Sequence, residues 1–360
     1  MTSRNPFHWP SPLNGEGGPK GRKGAVAALV LVSVIVADIA AAQDALPRLP
    51  AAAFDVIAPS ERVLGARGSI TVYQRLCRNA PTAWARRRVV DVAVQEWAFF
   101  GMQTIDATKI EDRILPPGLV PDAINPRMPA PRIERQFARL GTAESNDELD
   151  GTIAGYWSST PDGPRILVQQ NNAWNAPGGN SVGWVQPWSA AFISWVMCEA
   201  GLGDMAQFQR SIAHRNYIDQ AIRARDGMDA DAAYVAYDAG EQPIEPGDLL
   251  CNARASAEYR MLADRRRETG RFAPTHCDIV VKIDERAGRI LVVGGNVEQS
   301  VSLTILPLRR EGDAYPKPVD DSIIDGARTV FAHLKLRADR VEPNALDNSP
   351  TVRALSAPTN

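Results

Sequence analysis

Three polar residues occur, in chain order, where their side chains could perform acyl transfer. Ser189 begins a strongly apolar segment with helical spacing, His276 begins a predicted strand, and Asn296 ends the next predicted strand. A hydroxyl nucleophile, an imidazole base and a group that orients the base are the three parts of covalent acyl-transfer catalysis. The pattern predicts a Ser189–His276–Asn296 site if the fold brings these residues together.

The segment 186–202 predicts the helix that would carry Ser189. Pro187 suits the first turn of a helix and Gly201 suits its exit. Apolar residues three, four, seven and eight positions after Ser189 form one stripe: Phe192, Ile193, Val196 and Met197. A hydroxyl at this end lies among free backbone N–H groups and at the positive end of the helix dipole. Such a position suits a nucleophile and equally a helix cap, so both interpretations of Ser189 stay open.

The elements that must position the other two residues are predicted strands in the second half of the chain. These short apolar runs, separated by Gly, Asp-Glu and Pro, are 246–251, 275–283, 289–296, 301–306 and 329–336. Such punctuation is typical of an antiparallel sheet, in which neighbouring strands can place His276 and Asn296 side by side at one end.

The first half of the chain is mainly helical in pattern. Helical periodicity is expected over 81–100, 144–157 and 205–225, and a short strand over 165–169. A helical half followed by a strand half is the α+β pattern. The predicted fold is therefore a helical half packed on an antiparallel sheet.

Composition excludes some classes of function. Of 360 residues, 44% are hydrophobic and 23% charged, as in globular proteins, and the formal net charge of -2 gives no support for nucleic-acid binding. The chain has four histidines, and none of its four cysteines has metal-ligand spacing. We therefore predict no metal, no cofactor and no nucleic-acid partner.

The amino terminus has the pattern of a secretory signal peptide. The apolar run 24–37 follows three basic residues and precedes Ala40, Ala41 and Ala42, which form an Ala-x-Ala cleavage site. We expect a signal peptide over 1–42, a linker over 43–80, one domain over 81–336 and a disordered tail over 337–360. Cleavage would leave a periplasmic or secreted protein without a membrane span, although an uncleaved anchor is the alternative.

The cysteines are even in number, as expected for a compartment that permits disulfides. Cys251 and Cys277 fall on strands that should be neighbours. Residues directly opposite in an antiparallel pair are close enough for a disulfide. We predict that bridge, with two reduced, buried thiols as the alternative, and leave the pairing of Cys77 and Cys198 open.

Several motifs resemble those of a known superfamily. Pro-Trp-Ser-Ala-Ala-Phe, then Gly-Asp-Leu, a His-led strand and Gly-Gly-Asn resemble the papain-like CHAP and NlpC/P60 domains. The closer resemblance is to an uncharacterised bacterial family, domain of unknown function 2272. The motifs that carry it are 188–192, 213–217, 247–251, 276–278 and 294–297.

The resemblance implies a papain-like fold and hydrolysis of amide bonds in bacterial peptidoglycan. That superfamily uses a cysteine nucleophile, and this chain has Ser189 at that position. A serine hydroxyl is a weaker nucleophile than a thiolate, so a histidine must act as a true base.

Three further residues are predicted to contact the substrate: Trp188, His214 and Arg254. His214 would lie in the core or at the rim of a cleft, and Arg254 would bind a carboxylate or form a surface salt bridge. Together the residues predict an exported hydrolase of amide bonds in peptidoglycan peptides. The alternative is a catalytically inactive papain-like module that binds cell-wall peptides or a partner protein.

Overall fold

The fold is α+β, with helices packed against a mixed, mostly antiparallel sheet. It is seen in a computed structural model that describes residues 46–108, 137–254, 259–319 and 329–356. The predicted fold class is therefore confirmed at the level of α+β. The predicted signal peptide, residues 1–42, lies outside the described residues.

Seven α-helices occur in the described residues. They are α1 (Ala85–Phe99), α2 (Asp150–Ser158), α3 (Gly163–Asn175), α4 (Ser189–Glu199), α5 (His214–Arg225), α6 (Leu262–Arg266) and α7 (Pro350–Ser356). No helix in these parts of the chain is long and apolar enough to cross a membrane.

The strands of the same segments form a two-stranded and a nine-stranded sheet. They are β1 (Val63–Leu64), β2 (Thr71–Val72), β3 (Thr104–Asp106), β4 (Phe137–Arg139), β5 (Tyr234–Tyr237), β6 (Leu249–Ala253), β7 (Thr275–Asp284), β8 (Arg289–Val297), β9 (Ser300–Arg309), β10 (Lys317–Pro318) and β11 (Val330–Leu336). The large sheet has the order β4-β3-β9-β8-β7-β6-β11-β5, with β10 beside β9. Only the β3–β9 pair is parallel among these described strands.

Helix α4 is the centre of the core, as its sequence predicts. All of its residues are buried, and it packs against strands β7 and β8. A Cβ atom at Gly295 of β8 would lie 2.5 Å from the Cβ atom of Phe192. Since real Cβ contacts are never so short, glycine is what lets α4 approach the sheet this closely.

The two faces of β7 have different surroundings. Cys277, Ile279 and Val281 belong to the main core with α1 and α4, whereas Val280 belongs to a smaller cluster on the other face. Because side chains alternate along a strand, His276 lies on the face of Val280 rather than on the face that α4 covers.

Two cysteine pairs are bridged. Cys251 and Cys277 are directly opposite on β6 and β7, with Cα atoms 4.1 Å apart, so the predicted disulfide is confirmed. Cys77 and Cys198 form the second disulfide, whose pairing the sequence left open.

Three segments differ from the prediction. Residues 165–169 belong to helix α3 rather than a strand, because Pro164 suits the first turn of a helix and the buried residues recur at helical spacing: Ile166, Leu167, Gln170 and Trp174. Residues 46–80, expected to be a linker, bury Phe54, Arg62 and Ile70 in the core. The expected disordered tail contains helix α7, which packs on α1.

Candidate active site

The hydroxyl of Ser189 is hydrogen-bonded to a histidine, but not to the predicted one. Ser189 Oγ lies 2.7 Å from Nε2 of His214, the first residue of α5. Both side chains are nearly buried, at 5% and 4% exposure. The sequence placed His214 only among substrate-binding candidates, so the pairing of Ser189 is a correction of the expected Ser189–His276 contact.

A pair of buried serines holds the chain before His214 against α4. Ser194 Oγ donates to the carbonyl of Ser211 at 3.0 Å and accepts from the Ser211 N–H at 3.0 Å. Two reciprocal hydrogen bonds fix the loop that leads into α5. Ser189 and Ser194 lie on neighbouring turns of α4. The helix that carries Ser189 therefore also fixes the loop that positions His214.

The other nitrogen of the His214 ring, Nδ1, faces two donors. The backbone N–H of Cys277 donates to it at 3.2 Å, and the hydroxyl of Tyr217 is also hydrogen-bonded to it. A backbone N–H can only donate, so Nδ1 must accept. The neutral ring therefore carries its proton on Nε2 and donates it to Ser189 Oγ.

The surroundings keep this imidazole neutral. Burial lowers the pKa of His214 well below its usual 6.5, and the charges of His276 and Arg254 lower it further. Burial also raises the pKa of the Tyr217 hydroxyl well above 10.0, with the charge of Asp278 adding to the effect. Ser189, His214 and Tyr217 thus form a chain of neutral groups.

His276 belongs to a second pair. Its Nε2 atom lies 2.8 Å from Oδ1 of Asp278, two residues along β7 on the same face. The rings of His276 and His214 have centroids 4.9 Å apart. The structure therefore brings His276 beside the Ser189–His214 pair. Among the described residues, the serine is hydrogen-bonded to His214 and not to His276.

Asn296 was expected to orient His276, but Asp278 is the residue that binds the ring nitrogen. Asn296 has a left-handed backbone (φ 54°), and the register of β8 with β9 shifts between Gly294 and Val297. Asparagine tolerates this conformation better than most residues. At Asn296 the strand is irregular, so the cross-strand geometry assumed for the His276–Asn296 pair does not hold there.

The remaining predicted residues divide between core and site. Trp188 is fully buried, stacks on Phe100 and Tyr156, and donates from Nε1 to Glu144 at 2.6 Å. Its ring is therefore part of the core. Arg254 follows β6 and is close enough for its charge to lower the pKa of His214.

The first turn of α4 supplies backbone donors beside Ser189. The first backbone bond of this turn runs from the N–H of Phe192 to the carbonyl of Trp188, at 2.9 Å. In the described part of the chain, no hydrogen bond takes up the N–H groups of Ser189, Ala190 and Ala191. Free N–H groups at the start of a helix can stabilise a developing oxyanion.

Comparison with known proteins identifies the family to which the chain belongs. The model of the DUF2272 family, described as an uncharacterized protein conserved in bacteria, matches residues 149–336, just over half of the chain. The chain belongs to the DUF2272 family. No curated protein and no solved structure matches it. Every residue of the Ser189–His214 and His276–Asp278 pairs lies within the DUF2272 match, as do all the strands from β5 to β11.

Two members of this DUF2272 site, Tyr217 and Asp278, were not assigned a role from the sequence. The spacing of each residue from a histidine could have indicated its role. Tyr217 is three residues after His214 on a helix, and Asp278 is two residues after His276 on a strand, so each pair shares a face. No group of three His, Cys, Asp or Glu side chains able to hold a metal ion occurs among the described residues.

Proposed function

We propose that this DUF2272 protein is an exported hydrolase of amide bonds that acts on peptidoglycan peptides. The observation that carries the proposal is the 2.7 Å contact between Ser189 Oγ and His214 Nε2 at the start of a buried helix. A nucleophile within hydrogen-bonding distance of a base is the arrangement that acyl transfer needs. The papain-like relationship is part of the proposal, supported by the motif order and by α4 packing on β7 and β8.

In this mechanism Ser189 attacks the amide carbonyl, and His214 takes the hydroxyl proton and returns it to the leaving amine. The N–H groups of Ala190 and Ala191 stabilise the oxyanion. His276 is proposed as a supporting group rather than the base. The Asp278 carboxylate binds His276 and so holds that ring beside His214.

Export is supported by the two disulfides. Cys77–Cys198 and Cys251–Cys277 are typical of proteins that fold in an oxidising compartment. A periplasmic or secreted location fits the signal-peptide pattern of the first 42 residues and would bring the protein to the cell wall.

A second candidate is a non-catalytic module that binds cell-wall peptides, and one specific observation favours it. With its proton on Nε2, His214 donates to Ser189 and has no lone pair there to accept the serine proton. In that state the hydrogen bond fixes the serine in place and does not activate it.

Digestion of purified peptidoglycan tests the proposal. The chain beginning near Gln43 is incubated with peptidoglycan, and new free amines are measured. We expect release by the wild type and by Ser158→Ala, which removes a similarly buried serine of α2, but none by Ser189→Ala. Release by Ser189→Ala at the wild-type rate would exclude a serine nucleophile. Binding of folded wild type to peptidoglycan without release would instead support the non-catalytic module.

A further inference from the structure

The hydrogen bonds of His214 define a resting state that differs from a reactive one. At rest, Nε2–H donates to Ser189 Oγ, while Nδ1 accepts from the N–H of Cys277. A general base must present a lone pair, not a proton, to the hydroxyl that it deprotonates. If Ser189 is a nucleophile, the ring proton must first move from Nε2 to Nδ1.

Only one of the two neighbours of Nδ1 can accept a proton from it. The N–H of Cys277 has no acceptor capacity, whereas a phenolic hydroxyl can donate or accept by rotation about its C–O bond. The Tyr217 hydroxyl is already hydrogen-bonded to Nδ1. Rotating this hydroxyl would turn it from a donor into an acceptor without moving the ring.

We propose that Tyr217 is the positioning residue that sets the tautomer of His214, donating to Nδ1 at rest and accepting Nδ1–H in the reactive state. The proposal rests on the proposed hydrolase function of Ser189. The ring keeps one proton in both tautomers, since one is released from Nε2 to water and one is taken up at Nδ1 from water. The lone pair exposed on Nε2 then accepts the Ser189 proton as the hydroxyl attacks.

The surroundings of Tyr217 fit this role. Its ring is 1% exposed and stacks on Phe208 with centroids 4.8 Å apart, so the hydroxyl has a fixed position. Burial raises the pKa of the phenol well above its usual value, which keeps the hydroxyl proton that donation requires. A phenolate could only accept. The neutral hydroxyl is thus suited to both tautomers.

The test compares Tyr217→Phe with Tyr234→Phe. Tyr234 packs against the same Phe208 ring and is also buried, but its hydroxyl donates to the carbonyl of Gly247 rather than bonding to His214. Two readouts are taken on each protein: the nitrogen-15 chemical shifts of the His214 ring, which report its tautomer, and the rate of Ser189 labelling by a fluorophosphonate probe. With four histidines in the chain, the His214 signals can be assigned by substitution.

We expect wild-type His214 to be mainly the Nε2–H tautomer with a detectable Nδ1–H fraction. Tyr217→Phe should lose that fraction and label at least about tenfold more slowly, because the reactive tautomer lacks its acceptor. Tyr234→Phe should resemble the wild type in both. Ring shifts unchanged in Tyr217→Phe would overturn the proposal, whether or not the serine reacts. If no protein labels, the hydrolase proposal fails, and the ring shifts alone decide the role of Tyr217.

Discussion

Two buried histidines, His214 and His333, are surrounded by different kinds of partner. His333 Nε2 lies 2.8 Å from Oδ2 of Asp248, and both side chains are fully buried. Arg86 binds the other oxygen of Asp248 at 2.7 Å, and Lys335 lies 3.4 Å from Oδ2. His214, in contrast, is hydrogen-bonded to two hydroxyls and a backbone N–H.

The difference separates a structural histidine from one suited to chemistry. Burial alone would raise the pKa of Asp248, but His333, Arg86 and Lys335 lower it to about 2. Loss of the Asp248 charge would leave the buried Arg86 guanidinium without its ionic partner, so this network holds β6, β11 and α1 together. The hydrogen-bond partners of His214 are neutral, so a change of tautomer at this ring leaves no ionised partner unpaired.

The largest loss of stability is expected when either disulfide is removed. In the chain-entropy model, their loops of 121 and 26 residues are worth about 5 and about 3.5 kcal/mol of stability. We expect both double serine variants to unfold at lower denaturant concentration. Only Cys251→Ser with Cys277→Ser should also change the tautomer of His214, because this bridge holds the segment whose backbone N–H, at Cys277, contacts that ring.

Denaturant unfolding and the nitrogen-15 shifts of His214 measure these two effects. The variant Cys77→Ser with Cys198→Ser is the matched control. A shift in the His214 signals of the control alone would contradict the assignment of Cys277 to the site.

A smaller loss of stability is expected from Asp248→Asn. The pKa of Asp248 falls from 3.8 in the unfolded chain to about 2 in the fold, so its contribution is present above pH 4 and lost as the pH falls toward 2. Removing the charge should cost roughly 2–3 kcal/mol at pH 7 and flatten this acid dependence.

Unfolding curves measured across that pH range test the prediction for Asp248→Asn, and Ser189 labelling should stay near the wild-type rate. A loss of labelling in the folded variant would show that the His333 network takes part in the chemistry, which would remove the distinction between the two histidines.

The sequence was informative where a pattern is local. The apolar stripe of α4 and the strands β6 to β9 follow from periodicity, and the Cys251–Cys277 bridge follows from strand order. The partner of Ser189 did not follow. His276 is bound by Asp278 on its own strand, and His214 reaches Ser189 through a loop held by Ser194.

Helical periodicity does not indicate that the first residue of α5 will contact a residue of α4 that lies 25 positions earlier in the chain. The residues before α1 show the same limit, since Arg62 enters the core by pairing with Glu199, more than a hundred positions away. Pairings of this length depend on the packing of the whole fold.

The rate of Ser189 labelling in His214→Asn and in His276→Asn tests most directly whether His214 is the partner of the serine. Each variant is treated with the fluorophosphonate probe, and mass spectrometry locates the adduct. A general base contributes about 10²–10⁴-fold, so His214→Asn should label at least about 100-fold more slowly than the wild type, whereas His276→Asn should stay within about tenfold of it. Fast labelling of His214→Asn together with loss of labelling in His276→Asn would contradict this account and restore the pairing predicted from the sequence.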